Sequence, residues 1–167
     1  MEGELAVTDP ETNAYHEAGH AFLAFYVGAR VRSVTIEPDR DDGPERYADI
    51  RVEWPPERFA GRVLYEKQVL VALAGPVAEM HYSGDPYHPG FVAEWAADWR
   101  LAWQAAAHVV AAQRDRLTYL ESVTRELHRM FDNSDHWARI AAVADNLLAH
   151  ETLEADDLEE LLGPWMR

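Results

Sequence analysis

The stretch AYHEAGHAFLAFY, Ala14 to Tyr26, places His16 and His20 four residues apart around Glu17 in an otherwise apolar run. Residues four apart on an α-helix lie one turn above each other on the same face, so both imidazoles can reach one ion. Glu17 is rotated from His16 by about 100°, which puts its carboxylate beside that ion. The H-E-x-x-H spacing therefore predicts a zinc site in which Glu17 is the base for a bound water.

The residues around this motif predict a helix of roughly eighteen residues that ends at Gly28. Thr8 or Asp9 can cap its start, and Pro10 suits a first turn, where no amide partner is needed. Gly19 predicts the close approach of another segment, because a mid-helix glycine costs about 1 kcal/mol relative to alanine. Apolar side chains at helical spacing form one stripe for burial, namely Ala14, Ala18, Ala21, Phe22 and Phe25.

The segments that follow predict a small sheet and a buried helix. Val31 to Glu37 and Asp49 to Trp54 alternate and are rich in β-branched residues, which predicts an antiparallel β-hairpin. The charged stretch Pro38 to Tyr47 between them predicts a solvated loop. Lys67 to Met80 is apolar enough for a buried helix, which Gly75-Pro76 should kink or restart because proline lacks an amide donor.

The rest of the chain predicts further helices after a loop of turn-forming residues, Ser83 to Gly90. Their expected extents are about Ala93 to Gln113, about Leu117 to Phe131, from a Ser134 cap to about His150, and a short last helix ending at Gly163-Pro164. The prediction is a single domain over residues 1–167. Its fold class is mainly α (α+β), a bundle of about five to six helices with a small antiparallel β-hairpin.

Composition limits the partners and the type of metal site. Thirty acidic against fifteen basic residues give a formal charge of −15, which repels phosphate backbones and anionic lipids. We therefore expect no nucleic-acid partner and no membrane insertion. The chain has no cysteine, so a metal must be held by His, Asp or Glu. It also has no secretion-type N-terminal pattern and no run of eighteen apolar residues, and we expect a cytoplasmic protein.

The residues Ala14 to Ala21, AYHEAGHA, resemble the zinc motif of the protease domain of FtsH-type AAA proteases. Val34 to Pro38 (VTIEP) is similar to that family's first strand, and Leu73 to Glu79 (LAGPVAE) to its LAGRAAE helix. Trp137 to Leu162 is similar to its C-terminal helices. The resemblance spans nearly the whole chain and implies an FtsH peptidase-domain-like fold, one zinc ion and zinc metalloendopeptidase activity.

A catalytic zinc needs three protein ligands and an open position, and the motif supplies two of the three. In the family the third is an aspartate at the start of a later helix, and Asp98 is the best match, although the family's leading Gly and Thr are absent. A carboxylate between Trp95 and Trp99 is costly unless it is paired or metal-bound. The alternative is a solvent-facing acid paired to Arg100 or to another arginine. Trp95, Trp99 and Trp103 recur every four residues, which predicts core packing.

Glu79 is the rival third ligand, because glutamate fills that position in several other H-E-x-x-H enzymes. The resemblance instead implies that Glu79 accepts a hydrogen bond from a ligand histidine and so orients its ring. The prediction therefore ranks Asp98 first as the third ligand and places Glu79 behind a ligand histidine, with Glu79 kept as the rival ligand.

The function expected from motif and resemblance is hydrolysis of peptide bonds by a metal-activated water, with Glu17 as general base. One alternative is a catalytically silent metal-binding or regulatory module on the same fold. Another is a metal-dependent amide hydrolase with a non-peptide substrate. The sequence lacks a GxxxxGK[ST] phosphate loop, so we expect no ATP-driven motor in it. Peptides or unfolded proteins are the expected substrates, and we expect them to dock along the edge of the hairpin. A separate ATPase partner and a homo-oligomer are both left open.

Overall fold

The computed structural model describes residues 9–37 and 50–166. This part of the chain forms six helices and a three-stranded antiparallel sheet, which confirms the predicted mainly helical bundle with a small sheet. The predicted loop Pro38 to Tyr47 and the alternative cap Thr8 lie outside the described residues. In chain order the elements are α1 (Pro10–Val27), β1 (Arg30–Thr35), β2 (Ile50–Glu53), α2 (Gly61–Ser83), α3 (Ala96–Ala106), α4 (Gln113–Phe131), α5 (Ser134–His150), β3 (Thr152–Glu154) and α6 (Ala155–Met166).

Helix α1 begins and ends where the sequence predicts. The Asp9 carboxylate accepts a hydrogen bond from the backbone N–H of Thr12 at 3.2 Å and so caps the first turn. Gly28 ends the helix in the left-handed region, with φ of 96°, where a side chain would be strained. The predicted apolar stripe is confirmed. Four of its members are 0% exposed, namely Ala14, Ala18, Ala21 and Phe22, and the fifth, Phe25, is half-buried.

Helices α1 and α2 pack against each other at very short range, and α2 also packs against α3 and α4. A Cβ atom on Gly19 would lie 2.5 Å from the Cβ of Ala78 and 2.6 Å from the carbonyl oxygen of Ala74. The close approach that Gly19 predicts is therefore confirmed, and the partner segment is α2. This packing brings α2 against the helix that carries the H-E-x-x-H motif.

Helix α2 runs without interruption from Gly61 to Ser83, so the predicted restart at Gly75-Pro76 does not occur. Proline in a helix removes one amide donor, here the partner of the carbonyl four residues earlier. The turns around Pro76 are buried, and Leu73 and Val77 are both 0% exposed. Tertiary packing therefore holds the helix together across the missing hydrogen bond.

The predicted long helix from Ala93 to Gln113 is wrong at both ends. Two short 3₁₀ helices, Pro89–Phe91 and Ala93–Trp95, precede α3, which ends at Ala106. No glycine or proline marks this end in the sequence. The turn after α3 is instead held by the Arg116 guanidinium, which donates to the carbonyl oxygens of residues 110 and 111 at 3.2 and 2.6 Å. A side chain of α4 thus stabilises the segment between the two helices.

Each of the two C-terminal helices differs from prediction at one end, α5 at its N-terminal cap and α6 at its C-terminal end. Asn133, not Ser134, caps α5, because its side-chain oxygen accepts from the backbone N–H groups of Asp135 and His136. Helix α6 continues through Pro164 to Met166 instead of ending there.

The sheet has the order β2-β1-β3, with both pairings antiparallel. Strands β1 and β2 form the predicted pair, with Arg30 opposite Glu53. Strand β3 was not predicted, since its segment was interpreted as helical. It pairs with β1, Thr35 lying opposite Thr152, after Glu151 turns the chain with φ of 68°. Three residues are too few for a recognisable strand pattern, and pairing with β1 is what defines them.

Replacing Gly19 with alanine tests the close packing of α1 on α2. In an open helix this change would stabilise the protein by about 1 kcal/mol. Here the added methyl meets a backbone carbonyl that cannot turn aside, so we expect an over-packing cost of about 3 kcal/mol. The net result is a loss of about 2 kcal/mol in the free energy of unfolding, measured by urea denaturation. A gain in stability would contradict the close approach.

Candidate metal centre

Three side chains from α1 and α3 converge in the interior and can hold a metal ion. They are His16, His20 and Asp98, each offering one ligand atom, and these atoms lie within 4.8 Å of one another. His16 Nε2 is 2.8 Å from Asp98 Oδ2, and His20 Nε2 is 3.4 Å from Asp98 Oδ1. His20 and Asp98 are 5% and 7% exposed. Within the described ranges, no other group of three such residues has this spacing.

The second nitrogen of each imidazole is held by helix α2. His16 donates its Nδ1–H to Glu79 Oε1 at 2.9 Å, and His20 donates its Nδ1–H to the carbonyl oxygen of Val71 at 2.7 Å. A carboxylate and a carbonyl only accept hydrogen bonds, so they place the proton on Nδ1 and leave Nε2 directed at Asp98. Trp95 Nε1–H also donates to Glu79 Oε1, at 2.9 Å, and fixes that carboxylate in turn.

The donor set fits a divalent cation. Two Nε2 lone pairs and a carboxylate, brought together away from water, need a positive charge at their centre. Imidazole nitrogen and carboxylate oxygen are ligands that zinc accepts, and neither requires a thiolate. Because Glu79 and the Val71 carbonyl keep a proton on each Nδ1, removal of the Nε2 proton leaves both histidines in the tautomer that metal ligation requires. The residues present therefore suit a bound metal ion with three protein ligands.

The protonation of these groups reflects the same need for positive charge. Burial by itself lowers the pKa of His16, but Asp98, together with Glu79, outweighs burial and raises that pKa well above its usual range. Burial also lowers the pKa of His20, but Asp98 outweighs burial there too and raises that pKa. Burial raises the pKa of Asp98, yet the two imidazoles outweigh it and hold the pKa of that carboxyl below its usual range. Protons and a metal ion therefore compete for the same nitrogens.

The two acidic residues considered for the third ligand occupy different places. Asp98 faces the Nε2 atoms of both histidines, whereas Glu79 lies at Nδ1 of His16, on the other side of the ring. The alternative in which Asp98 faces solvent is wrong, because the residue is 7% exposed. Glu79 does not belong to the group that can hold an ion.

Glu17 lies on α1 between the two histidines and is 5% exposed. Its negative charge contributes to the raised pKa of both His16 and His20, the smallest of the named contributions at each. The structure therefore brings the third residue of the motif into the same buried, negatively charged environment as the candidate ligands.

Two partners of this centre were missed by sequence analysis. The Val71 carbonyl has no side-chain signature, so no residue pattern could have identified it. Trp95 was interpreted as core packing, and at 4% exposure it is packed, but its indole N–H also holds Glu79. A buried tryptophan N–H normally finds an acceptor, and this was the one available signal.

Neither a scan against protein-family models nor a search of the curated proteins found a match to this chain. The resemblance to FtsH-type proteases therefore rests on the quoted motifs. Across the described residues, no helix combines the length and the apolar character needed to cross a bilayer.

Asp98→Asn and Glu79→Gln separate a ligand from a residue that orients one. Glutamine keeps a carbonyl oxygen that accepts from His16 and Trp95, so we expect zinc affinity to fall by about tenfold or less. Asparagine removes the charge that faces both Nε2 atoms, and we expect a loss of more than about 100-fold. Competition with a chromophoric chelator measures both variants. Asp115→Asn, the same change in the first turn of α4, should leave the affinity unchanged. A larger loss in Glu79→Gln than in Asp98→Asn would reverse the assignment.

Proposed function

We propose that this chain is a zinc-dependent metallopeptidase that resembles the peptidase domain of FtsH-type AAA proteases. The observation that carries the proposal is the convergence of His16 and His20 Nε2 on the Asp98 carboxylate, with Glu17 buried beside them on the same helix. Three protein ligands are what catalytic zinc sites use, because the fourth position is then open to water or substrate. A fully closed structural site would need a fourth ligand.

Zinc bound by these residues would polarise the scissile carbonyl and lower the pKa of a bound water to about 7. Glu17 accepts a proton from the water as its oxygen adds to the carbonyl carbon. The same carboxyl then donates that proton to the amine nitrogen as the C–N bond breaks. Glu79 and the Val71 carbonyl keep the two imidazoles in place during these steps through their Nδ1 hydrogen bonds.

An extended peptide can add to β2 along the edge opposite β1. In the described part of the chain β2 pairs with β1 on one side only, which leaves backbone groups available on the other side. Such pairing is largely independent of side-chain sequence, as a peptidase acting on varied unfolded chains requires. A groove of about 430 Å³ crosses the same region of the sheet and is lined by Arg32, Ser33, Arg51, Val52, Glu53 and Glu154.

Peptides or unfolded proteins are the proposed substrates because an edge strand accepts only an extended chain. Folded substrates would then need a separate ATPase partner that unfolds them, as the FtsH resemblance implies. The charge of −15 disfavours polyanionic substrates in this proposal.

Glu17→Gln tests the catalytic part of the proposal. The variant should bind one zinc ion like the wild type, because Glu17 is not among the proposed ligands. Its cleavage of an unfolded protein should fall by about 10²–10⁴-fold, since glutamine cannot accept the proton. Zinc is measured by elemental analysis and cleavage by mass spectrometry of the products. Glu11→Gln, the same substitution earlier on α1, should keep full activity.

The outcomes of this experiment separate the alternatives. Absence of stoichiometric zinc in protein purified without chelators would contradict the zinc proposal. Zinc in a wild type that cleaves no peptide would favour a silent binding module. Hydrolysis of small amides that survives when peptide cleavage is absent would favour a non-peptide amide hydrolase.

Arg51→Glu tests docking along β2, on which Arg51 is exposed. Reversing the charge should weaken binding of acidic peptides and strengthen binding of basic ones by about two- to fivefold. Arg125→Glu makes the same charge change on α4, a helix that packs on α2 rather than on the sheet. Peptide affinities are measured with the Glu17→Gln variant, which binds without cleaving. Equal peptide affinities with Arg51, with Arg51→Glu and with the Arg125→Glu control would contradict this docking mode.

A further inference from the structure

Gly75 is buried in the middle of α2, directly against the two histidine rings of α1. A Cβ atom on Gly75 would lie 2.8 Å from His16 Nε2 and 2.6 Å from His20 Cε1, and would be closer still to His20 Nε2. Real Cβ atoms essentially never approach other atoms to less than 3.0 Å. Any side chain at this position would therefore displace the imidazoles or be displaced by them.

The atoms that such a side chain would meet are the candidate ligand atoms themselves. His16 Nε2 and His20 Nε2 are the nitrogens that face the Asp98 carboxylate. The volume left empty by the missing side chain thus adjoins the point at which the three ligand atoms converge. A glycine elsewhere on α2 would not leave this particular space.

The imidazoles cannot move away from Gly75 without losing their hydrogen bonds. Val71, which accepts from His20, lies four residues before Gly75, and Glu79, which accepts from His16, lies four residues after it. Residues at this spacing share one face of a helix. One face of α2 therefore presents an acceptor, a gap and a second acceptor in successive turns to the two rings.

We infer that Gly75 is a positioning residue of the metal centre, whose lack of a side chain keeps the ion's place open between His16 and His20. Val71 and Glu79 hold the rings from their Nδ1 atoms, and Gly75 leaves their Nε2 atoms free to bind the ion. This role rests on the metal centre alone and is independent of whether the centre cleaves peptides.

The test compares Gly75→Ala with Gly19→Ala for zinc affinity, by competition with a chromophoric chelator. Both variants add one methyl group to a glycine buried between α1 and α2, so both disturb the packing of these helices. Only the methyl at residue 75 meets the ligand nitrogens. Residues that merely orient ligands change metal affinity by about 10–100-fold, so a methyl at the ion's place should cost about 100-fold or more. Gly19→Ala shifts the same helix pair without meeting a ligand atom, so its loss of affinity should be clearly smaller, about tenfold.

Equal zinc affinity in Gly75→Ala and the wild type would overturn the inference. An equal loss of affinity in Gly75→Ala and Gly19→Ala would also overturn it, because it would indicate general disruption of the helix pair. If the wild type binds no zinc, the metal centre itself is contradicted, and the inference with it. Failure of the peptidase proposal would look different, because the wild type would then bind zinc but cleave no peptide.

A second measurement keeps the inference testable if Gly75→Ala alone does not fold. Combining it with His20→Ala removes the ring that the methyl meets most closely. The metal-free double variant should then fold and show a cooperative urea transition, because deletion of the ring relieves the collision. A double variant that stays unfolded, while His20→Ala by itself folds, would show that the collision lies elsewhere and would overturn the inference.

Discussion

The close packing of α1 on α2 is the constraint on which the rest of the centre depends. Gly19 brings the α1 backbone to Ala74 and Ala78 of α2 at distances that no side chain would permit. At this spacing the Val71 carbonyl and the Glu79 carboxylate reach the Nδ1 atoms of the two histidines. The same contact that buries the apolar stripe of α1 therefore orients the candidate ligands, so the stability of this packing and the geometry of the site are linked.

The electrostatics of the centre explain why three acidic groups can surround two histidines in the interior. A buried carboxylate is costly unless a cation compensates it, and here either imidazolium or a metal ion does so. Asp98 is placed for this role by α3, which follows the loop after α2. Metal binding and proton binding are thus alternatives for one buried site. An ion that binds the folded chain will also stabilise it, because no such site exists in the unfolded chain.

Sequence patterns predicted the elements whose boundaries carry local signals and failed where the signal comes from elsewhere in the chain. Asp9 and Gly28 bound α1 because capping is a local interaction. The end of α3 has no such residue, and the segment that follows it is held by Arg116 from α4. Strand β3 exists only as a partner of β1, and Pro76 is tolerated because its neighbours are buried. Local propensity cannot register any of these three effects.

For the site, the sequence by itself determined that His16, Glu17 and His20 share one region of a single helix, because the helical period places them there. Tertiary structure decided which acidic residue joins them. Asp98 and Glu79 are both helical carboxylates, and from the sequence only the family resemblance ranks Asp98 first as the ligand. Asp98 lies 82 residues from His16 yet reaches its Nε2, while Glu79 reaches the opposite nitrogen. Contacts over such separations are set by the packing of α1, α2 and α3, not by any local pattern.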